Sequence, residues 1–261
     1  MKIGIIGFGF VGQAIGWAYR SDELIIRDPK IADSASLDKF NGCDGIFICV
    51  PTPSIEDGHC DSSILEQTLK ELLFVVINKQ IPIICKSTAP PSVYDRLQKE
   101  YPNIVHCPEF LTAANATTDY ANADSCVLGG DYDWCVKARE VIRHGRPMVH
   151  DKFTIVDIKV AALHKYLMNS YLAARVSFMN DFKKLADVLE VEWSDLAYLA
   201  KHDGRIGYSH LDVPGPDGQR GWGGACFPKD VAAIQMEAID LGTELELLGR
   251  VEDINKKHRR I

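Results

Sequence analysis

The sequence predicts an α/β fold in which a Rossmann-type, doubly wound parallel sheet is followed by an all-helical domain with one long helix. Short, continuously apolar segments alternate with helical patterns over roughly the first 150 residues, which is typical of a parallel sheet covered on both faces. A glycine pattern, GFGFVG at 7–12, directly follows the first apolar segment. Residues 158–189 then carry apolar side chains at spacings of three and four, without Gly or Pro, which predicts the long helix.

The first domain is predicted to alternate strands and helices. Its strands are short apolar runs, and its helices have apolar residues on one side. The predicted strands are residues 2–6, 24–28, 45–50, 81–85, 104–107 and 125–128. The predicted helices are residues 11–20, 62–77, 91–100 and 132–144.

The second domain is predicted to be helical. The expected helices are residues 158–189, 194–202, 228–241 and 244–258. Between them, residues 203–225 hold seven glycines and two prolines, and loops of this length are usually functional or disordered. We therefore expect a Rossmann domain at 1–152 and a helical dimerisation and catalytic domain at 153–261. An apolar helix as long as 158–189 needs more cover than a small domain offers, so we expect a homodimer packed through it.

Composition excludes several classes of protein. The 261 residues include 36 acidic and 29 basic side chains, for a net charge of −7, which argues against nucleic-acid binding. None of the eight cysteines has CxxC spacing, and no His/Cys cluster predicts a metal site. Cysteines inside apolar strand-like runs suit a reducing compartment, so we expect a cytoplasmic protein. No apolar run reaches membrane-spanning length, and the N-terminal glycines indicate a binding loop rather than a signal peptide.

The glycine pattern at 7–12 predicts a dinucleotide site. Its three glycines lie between a strand and a helix, where they allow a tight turn and let a pyrophosphate approach backbone N–H groups. Asp28 ends the next strand, 21 residues after Gly7, close to the ~20 expected for a ribose-binding carboxylate. A carboxylate repels a 2′-phosphate and so favours NAD over NADP, although Arg27 and Lys30 leave NADP open.

Three further motifs follow predicted strands. They are VPTP at 50–53, KSTAP at 86–90 and PEFL at 108–111. Ligands of open α/β sheets bind outside the carboxyl ends of the strands, which makes these segments candidates for binding. The alternative is a set of ordinary proline-terminated turns. Glu109 in PEFL is either a general base or a helix cap.

The stretch GWGGACFPKD at 221–230 contains a candidate nucleophile. Cys226 lies between a glycine-rich loop and a predicted helix start, where the thiolate form is favoured. The alternative is a small buried residue, which most cysteines are. Asp230 follows four residues later, one helical turn on, so it can share a site with the thiol.

Lys165 and Asn169 are spaced i, i+4 on the predicted long helix and therefore share one face. Leu163 and Leu167 flank Lys165, which indicates that this face points inward. The alternative is an ordinary solvated pair on an exposed face.

The chain resembles the nucleotide-sugar (UDP-glucose/GDP-mannose) dehydrogenase family in motifs that come in the family's order and span nearly the whole chain. These are GFGFVG, VPTP, KSTAP, PEFL, KYLMNSYLAARVSFMND, GRIG, VPGPDG and GWGGACFPKD. The resemblance implies oxidation of a sugar C6 alcohol, that of UDP-glucose first of all, to a carboxylate with two NAD in succession. The aldehyde formed first is captured by Cys226 as a thiohemiacetal, which is oxidised to a thioester and hydrolysed.

The resemblance also implies the roles of individual residues. The catalytic set is Cys226, Lys165, Asn169, Asp230, Thr88 and Glu109. Lys165 and Asn169 hold the oxyanion or an ordered water. Asp230, with Thr88, positions or deprotonates that water, and Glu109 acts as base in thioester hydrolysis.

Cofactor and substrate contacts are implied in the same way. The expected cofactor contacts are Gly7, Gly9, Phe10, Val11, Gly12, Asp28, Lys30, Val50, Pro51, Thr52, Thr88 and Lys229. The expected substrate contacts are Glu109, Phe110, Leu111, Lys165, Asn169, Arg205, Gly221, Trp222 and Gly223. Arg205, in GRIG, matches an arginine that reaches substrate across a subunit interface, and the loop 213–224 is expected to wrap the sugar.

Two departures from the family pattern bear on activity. Ala113 stands where the family usually carries a second glutamate, four residues after Glu109. Family members also continue into a third domain that grips the nucleotide diphosphate, for which these 261 residues hold no counterpart. Because binding of remote substrate parts supports catalysis, we expect weaker substrate binding, a changed substrate choice, or a partner protein that supplies this domain.

Two other functions remain open. One is a two-electron dehydrogenase of the 3-hydroxyacid or 6-phosphogluconate type, which uses a lysine and does not need Cys226. The other is a non-catalytic NAD-binding dimer, which the departure at Ala113 favours. The retained cysteine block argues against the first, and the retained set of Thr88, Glu109, Lys165, Asn169, Cys226 and Asp230 argues against the second.

Overall fold

A computed structural model describes residues 1–77, 80–111, 115–123, 125–146 and 152–259. The chain divides into two compact units. The first unit comprises Met1–Pro53 and Cys60–Lys165, and the second comprises Ser54–His59 and Tyr166–Ile261. The division falls inside the long helix, later than the predicted boundary between residues 152 and 153.

The first unit contains a sheet of seven strands within the described ranges. They are β1 (Lys2–Ile6), β2 (Glu23–Arg27), β3 (Gly45–Ile48), β4 (Ile83–Cys85), β5 (Ile104–His106), β6 (Cys126–Gly129) and β7 (Phe153–Val156). Their order is β2-β1-β3-β4-β5-β6-β7, and every neighbouring pair is parallel except β5 and β6. β2 and β3 lie on opposite sides of β1, so the order in which strands are added reverses between β1 and β3. Ligands of such sheets bind at this switch point.

The antiparallel pairing of β5 with β6, through His106 and Gly129, corrects the expectation of an all-parallel sheet. A short buried strand is the same apolar run in either direction, so the connection decides its orientation. Here the connection includes a short helix that packs against the helix after β1, and the chain re-enters the sheet at the edge it left. This short helix and β7 were not predicted. The helix has only 7 residues and β7 only 4, which is too short for a clear periodic pattern.

Helices cover both faces of the sheet, as predicted. They are α1 (Phe10–Ala18), α2 (Ser63–Val75), α3 (Pro91–Glu100), α4 (Ala116–Asn122) and α5 (Tyr132–Gly145), with a 3-10 helix at Leu37–Gly42. Successive strand residues point to opposite faces, so Ile46 and Ile48 belong to one buried cluster and Phe47 to the other. The doubly wound architecture is therefore confirmed.

The second unit is helical. The long helix α6 (Ile158–Val188) begins in the first unit and continues in the second, where α7 (Trp193–His202), α8 (Phe227–Asp240) and α9 (Glu246–Arg259) follow. Between α7 and α8 the chain forms turns and bends without a helix or strand, as predicted for the glycine-rich loop. Trp193, Ala197 and Val213 form a small core with Ala186 of α6. Among the residues that the structure describes, no helix has the length and apolar character needed to cross a membrane.

Candidate active site

The glycine loop after β1 is shaped by two close backbone contacts. Gly7 has a φ of +87°, and a Cβ there would lie 2.5 Å from the backbone oxygen of Cys49 at the end of β3. A Cβ on Gly12 would lie 2.1 Å from the backbone oxygen of Gly7. Neither position tolerates a side chain, so both glycines are required by the packing of α1 against the ends of β1 and β3.

The first turn of α1 opens onto free space. Gly9 is the N-cap residue, with extended backbone and no side-chain cap, and a Cβ on Gly9 would meet no atom within 4 Å. The first N–H groups of a helix lack intrahelical partners and attract anions. Phe10 and Val11 contribute N–H groups to this turn. The loop therefore has a shape that fits the pyrophosphate of a dinucleotide, and the individual contacts stay predictions.

Asp28, just after β2, lies against the same loop. Its carboxylate accepts the backbone N–H of Phe8 at 2.6 Å and that of Lys30 at 2.8 Å. These two hydrogen bonds lower the pKa of Asp28 below its usual value, so the side chain is ionised at neutral pH. An ionised acid beside the glycine loop is the arrangement expected for a ribose-binding carboxylate.

The ends of β3 and β4 are tied together by side-chain hydrogen bonds. The Thr52 hydroxyl donates to the backbone oxygen of Thr88 at 2.5 Å, and the Ser87 hydroxyl donates to that of Val50 at 2.7 Å. Thr52 and Ser87 are buried, while Pro51 is exposed. The two motifs therefore form one connected structure at the carboxyl edge of the sheet, rather than two separate proline turns.

Glu109 and Lys165 meet in the first unit. Lys165, 7% exposed, donates its Nζ to the backbone oxygen of Glu109 and lies 4.9 Å from the centre of the Phe110 ring. The Glu109 carboxylate accepts the backbone N–H of Leu111 through Oε1, and its Oε2 is 3.8 Å from Lys86 Nζ. Glu109 does not cap a helix, because α4 begins only at Ala116. Lys165 faces inward, as predicted, but Leu163 and Leu167 are 51% and 61% exposed and lie on the other side of the helix, so the reason given for the prediction was wrong.

Lys86 is a buried charge that the sequence analysis did not select. Burial by itself lowers the pKa of Lys86, but the negative charges of Cys107 and Glu109 outweigh it and raise that pKa to about 12. The ammonium is therefore charged under all ordinary conditions. The signal in the sequence is a lysine directly after an apolar strand, a position where a charged residue needs a partner.

The second unit places Asn169 and Asp230 in contact. Asp230 is 1% exposed, and its carboxylate accepts the Asn169 amide at 2.5 Å and the Lys229 ammonium at 2.5 Å. The carboxylate is therefore held on both oxygens. Lys229 pairs with Asp230, and its predicted contact with the cofactor stays a prediction.

Cys226 is the N-cap residue of α8, and its thiol is exposed. Pro228 occupies the first turn, where its missing N–H costs no hydrogen bond. The backbone oxygen of Cys226 accepts the N–H of Asp230 at 2.9 Å, which closes the first turn of the helix. The thiol thus lies exposed at a helix start, one turn before a buried carboxylate, and its role as a nucleophile stays a prediction.

The glycine-rich approach to Cys226 is anchored by buried amides. Asn255 of α9 accepts the backbone N–H of Trp222 at 2.7 Å and donates to its oxygen at 2.9 Å. Asn180 of α6 accepts the N–H of Gly221 at 3.0 Å. The Trp222 indole is buried and donates to the Ser177 hydroxyl at 2.9 Å, and its substrate contact stays a prediction. Sequence analysis missed both asparagines, because an isolated asparagine in a helix carries no motif.

Gly223 directly follows Trp222, and Arg205 lies earlier in the same glycine-rich loop. A Cβ on Gly223 would lie 2.7 Å from the guanidinium of Arg259, so a side chain there would need the end of the arginine to shift. The Arg205 side chain is 89% exposed and is held by Asp203 alone among the described contacts, at 2.9 and 2.5 Å. Its predicted role across a subunit interface stays a prediction. Ala113 lies outside the described residues.

Comparison with known proteins identifies the chain. Residues 25–144 match the "UDP-glucose/GDP-mannose dehydrogenase family, NAD binding domain", and residues 159–257 match the "central domain" of that family. The chain belongs to the UDP-glucose/GDP-mannose dehydrogenase family. NAD is its cofactor, and the glycine loop with Asp28 supplies residues that fit it. In the part of the chain that the structure describes, no group of three or more His, Cys, Asp or Glu side chains is arranged to hold a metal ion.

Relatives of this family member are longer than the chain. A putative UDP-glucose 6-dehydrogenase of Bacillus subtilis, YtcA, is 29% identical over 98% of this chain and 67% of its own length. A UDP-glucose 6-dehydrogenase of Rickettsia felis is 30% identical over 84% of this chain and 49% of its own length. A solved UDP-glucose dehydrogenase from Pyrobaculum islandicum superposes with a TM-score of 0.81 at 23% identity, over 98% of this chain and 68% of that one. The chain thus spans between half and two thirds of these relatives.

Proposed function

We propose that the chain oxidises the C6 alcohol of a nucleotide sugar, UDP-glucose first of all, to the carboxylate, by way of an aldehyde and a thioester on Cys226. The observation that carries this proposal is the exposed Cys226 thiol at the start of α8, one turn before the buried, doubly bonded carboxylate of Asp230. A dehydrogenase that stopped at two electrons would have no use for such a thiol.

NAD, when bound, accepts a hydride from the sugar carbon in each of the two oxidations. Between them, the Cys226 sulfur adds to the aldehyde carbon and forms a thiohemiacetal, whose oxidation leaves a thioester. Water then attacks the thioester carbon, the C–S bond breaks, and the thiol is released with the carboxylate product. This route divides one difficult oxidation into easier steps.

Lys165 and Asn169 are proposed to stabilise the negative oxygen that develops at the reacting carbon. The two side chains are one turn apart on α6, and each is nearly buried, which strengthens a charge or dipole aimed at that oxygen. Asp230 holds the Asn169 amide in place and is proposed to position a water or to accept its proton. Glu109 serves as base for the hydrolysis of the thioester.

We further propose that the chain acts as a cytoplasmic homodimer, with Arg205 of one protomer reaching the substrate of the other. An exposed apolar stripe on α6 supports the dimer. The stripe consists of Leu167, Tyr171, Phe178, Phe182 and Leu185, which are 47–61% exposed. A contiguous apolar stripe of this kind marks an interaction surface.

Substitution of Phe178 by glutamate is expected to dissociate the dimer. Phe178 packs on Phe182 with ring centroids 4.7 Å apart, so the charge would be buried at the centre of the stripe. Loss of an aromatic anchor costs about 2 kcal/mol or more, which raises the dimer dissociation constant at least ~30-fold. Sedimentation velocity over a concentration series measures this. Lys184→Gln, on α6 but off the stripe, should remain dimeric, and an unchanged mass for Phe178→Glu would refute the interface.

The activity itself is tested by counting NADH formed per sugar consumed, with a panel of UDP- and GDP-sugars. We expect two NADH per sugar, which the thioester route requires. One NADH per sugar would point to the two-electron dehydrogenase instead. Bound NAD without any NADH formation would favour the non-catalytic dimer, unless addition of a protein that supplies the nucleotide-binding domain restores turnover.

A further inference from the structure

Two buried thiols lie side by side in the first unit. Cys107 directly follows β5, and Cys126 begins β6, the neighbouring strand. Their Sγ atoms are 3.5 Å apart and share a hydrogen bond, and the residues are only 2% and 5% exposed. A disulfide has an S–S distance of about 2.05 Å, so the sulfurs need to approach by about 1.5 Å to form one.

Lys86 makes Cys107 the reactive member of this pair. The Lys86 ammonium donates to Cys107 Sγ at 3.3 Å. The thiol hydrogen bond from Cys126 lowers the pKa of Cys107, and the charge of Lys86 adds to this against the opposing effect of burial. The pKa of Cys126 is raised by the same hydrogen bond and by burial. Because Lys86 donates to the Cys107 sulfur, we assign the negative charge to Cys107 and the thiol proton to Cys126.

A small cavity gives space at the pair. The cavity measures about 100 Å³, and its lining includes Lys86, Cys107, Cys126 and Arg146. Because a site of roughly 10–15 Å³ holds one water, this space accommodates a small hydroperoxide. The wall also contains the carboxyl groups of Glu109 and Asp119, but the Lys86 ammonium is in direct contact with the Cys107 sulfur, at 3.3 Å, and favours its anionic form.

Other buried thiols of the first unit differ from Cys107. Burial raises the pKa of Cys85 to about 12, and burial with the charge of Asp131 raises that of Cys135 to about 12. These residues behave as small apolar side chains. The arrangement of amine, thiolate and second thiol is thus specific to Cys107 and its neighbours.

We propose that Cys107 and Cys126 are a peroxide-sensitive pair that forms a reversible disulfide. The Cys107 sulfur attacks one oxygen of a hydroperoxide, the O–O bond breaks, and hydroxide or an alkoxide leaves, giving a sulfenic acid. The Cys126 sulfur then attacks the Cys107 sulfur, the S–O bond breaks, and the Cys126 proton departs with the oxygen as water. The two thiols lose two electrons in total, and the peroxide gains them.

The disulfide acts on the segment that carries Glu109. Cys107 precedes Glu109 by two residues. The Lys86 ammonium donates to the Cys107 sulfur and to the backbone oxygen of Pro108, and it lies 3.8 Å from the Glu109 carboxylate. Oxidation removes the anionic sulfur next to Lys86 and draws residue 107 toward β6. Formation of the disulfide does not depend on the substrate of the protein, because it requires only the two thiols, Lys86 and a peroxide.

The pair is tested by peptide mapping of the full chain after peroxide treatment, with remaining thiols alkylated in denaturant. The Cys226→Ser background removes the exposed thiol from competition. We expect a peptide linked through Cys107 and Cys126, lost after addition of dithiothreitol. In Cys126→Ser, dimedone should label Cys107 as a sulfenic acid, whereas Cys135→Ser should leave the linkage unchanged.

Lys86→Gln provides a second measurement. Without the ammonium, the thiolate fraction of Cys107 falls. Peroxide should therefore oxidise the pair at about one tenth of the wild-type rate or below. The proposal is overturned if wild type shows no linkage of Cys107 with Cys126 at a peroxide dose that fully oxidises Cys226. It is also overturned if Cys107 reacts no faster than Cys135.

Discussion

Replacement of Cys226 by serine is expected to abolish carboxylate formation while NAD affinity stays within about twofold. A serine hydroxyl is far less acidic and nucleophilic than a thiol, so it captures the aldehyde poorly and does not form a thioester. Loss of a covalent nucleophile lowers turnover by roughly three orders of magnitude or more. The NAD contacts proposed at the glycine loop lie in the first unit and do not involve residue 226, so cofactor binding is spared.

Product analysis by chromatography measures this effect, with NAD binding followed by titration of the same preparation. Ala225→Ser is the matched control, since it places the same side chain at the adjacent exposed position. The control should form the carboxylate at close to the wild-type rate. Carboxylate formation by Cys226→Ser at a wild-type rate would show that no thioester is made on this residue.

Replacement of Asp230 by alanine is expected to lower turnover by roughly 10²- to 10⁴-fold. The substitution removes the carboxylate that accepts the Asn169 amide and the Lys229 ammonium, so neither donor keeps its position. The proposed proton acceptor for water is lost at the same time. A fall in stability is also expected, because breaking a buried charged hydrogen-bond group commonly costs several kcal/mol.

Steady-state kinetics and thermal unfolding together separate these effects. Asp240→Ala is the control, since Asp240 lies on the same helix but is exposed and bonds only His59 among its described contacts, at 3.1 Å. Its turnover should be unchanged. Asp230→Asn keeps the shape of the side chain without its charge, so wild-type turnover in that variant would rule out a role for the carboxylate as base.

Several parts of the molecule follow from short-range rules, and so were predictable. Strands such as Gly45–Ile48 are apolar runs, and the glycine loop is a local pattern with a mechanism. Lys165 lies one turn before Asn169, and Cys226 one turn before Asp230, because helix geometry fixes such spacings. The fold class and the family were therefore accessible from the sequence.

Other parts depend on contacts between distant segments. Lys86 meets Cys107 across 21 residues, and Asn255 meets Trp222 across 33. No local pattern distinguishes a lysine that will be buried from one that will be solvated, or an asparagine that anchors a loop from one that faces solvent. The direction of β6 belongs to the same class, since it depends on where α4 packs.

By itself, the sequence determined the alternation of strands and helices, the cofactor loop, the long helix and the cysteine at the start of α8, because each arises from residues close together in the chain. Only the tertiary structure decided which charges are buried and what they bond. It paired Lys86 with Cys107 and Asp230 with Asn169, and it brought the thiol of Cys126 to Cys107. The physical reason is that burial, and the partner a buried polar group then requires, are properties of the packed chain rather than of any single segment.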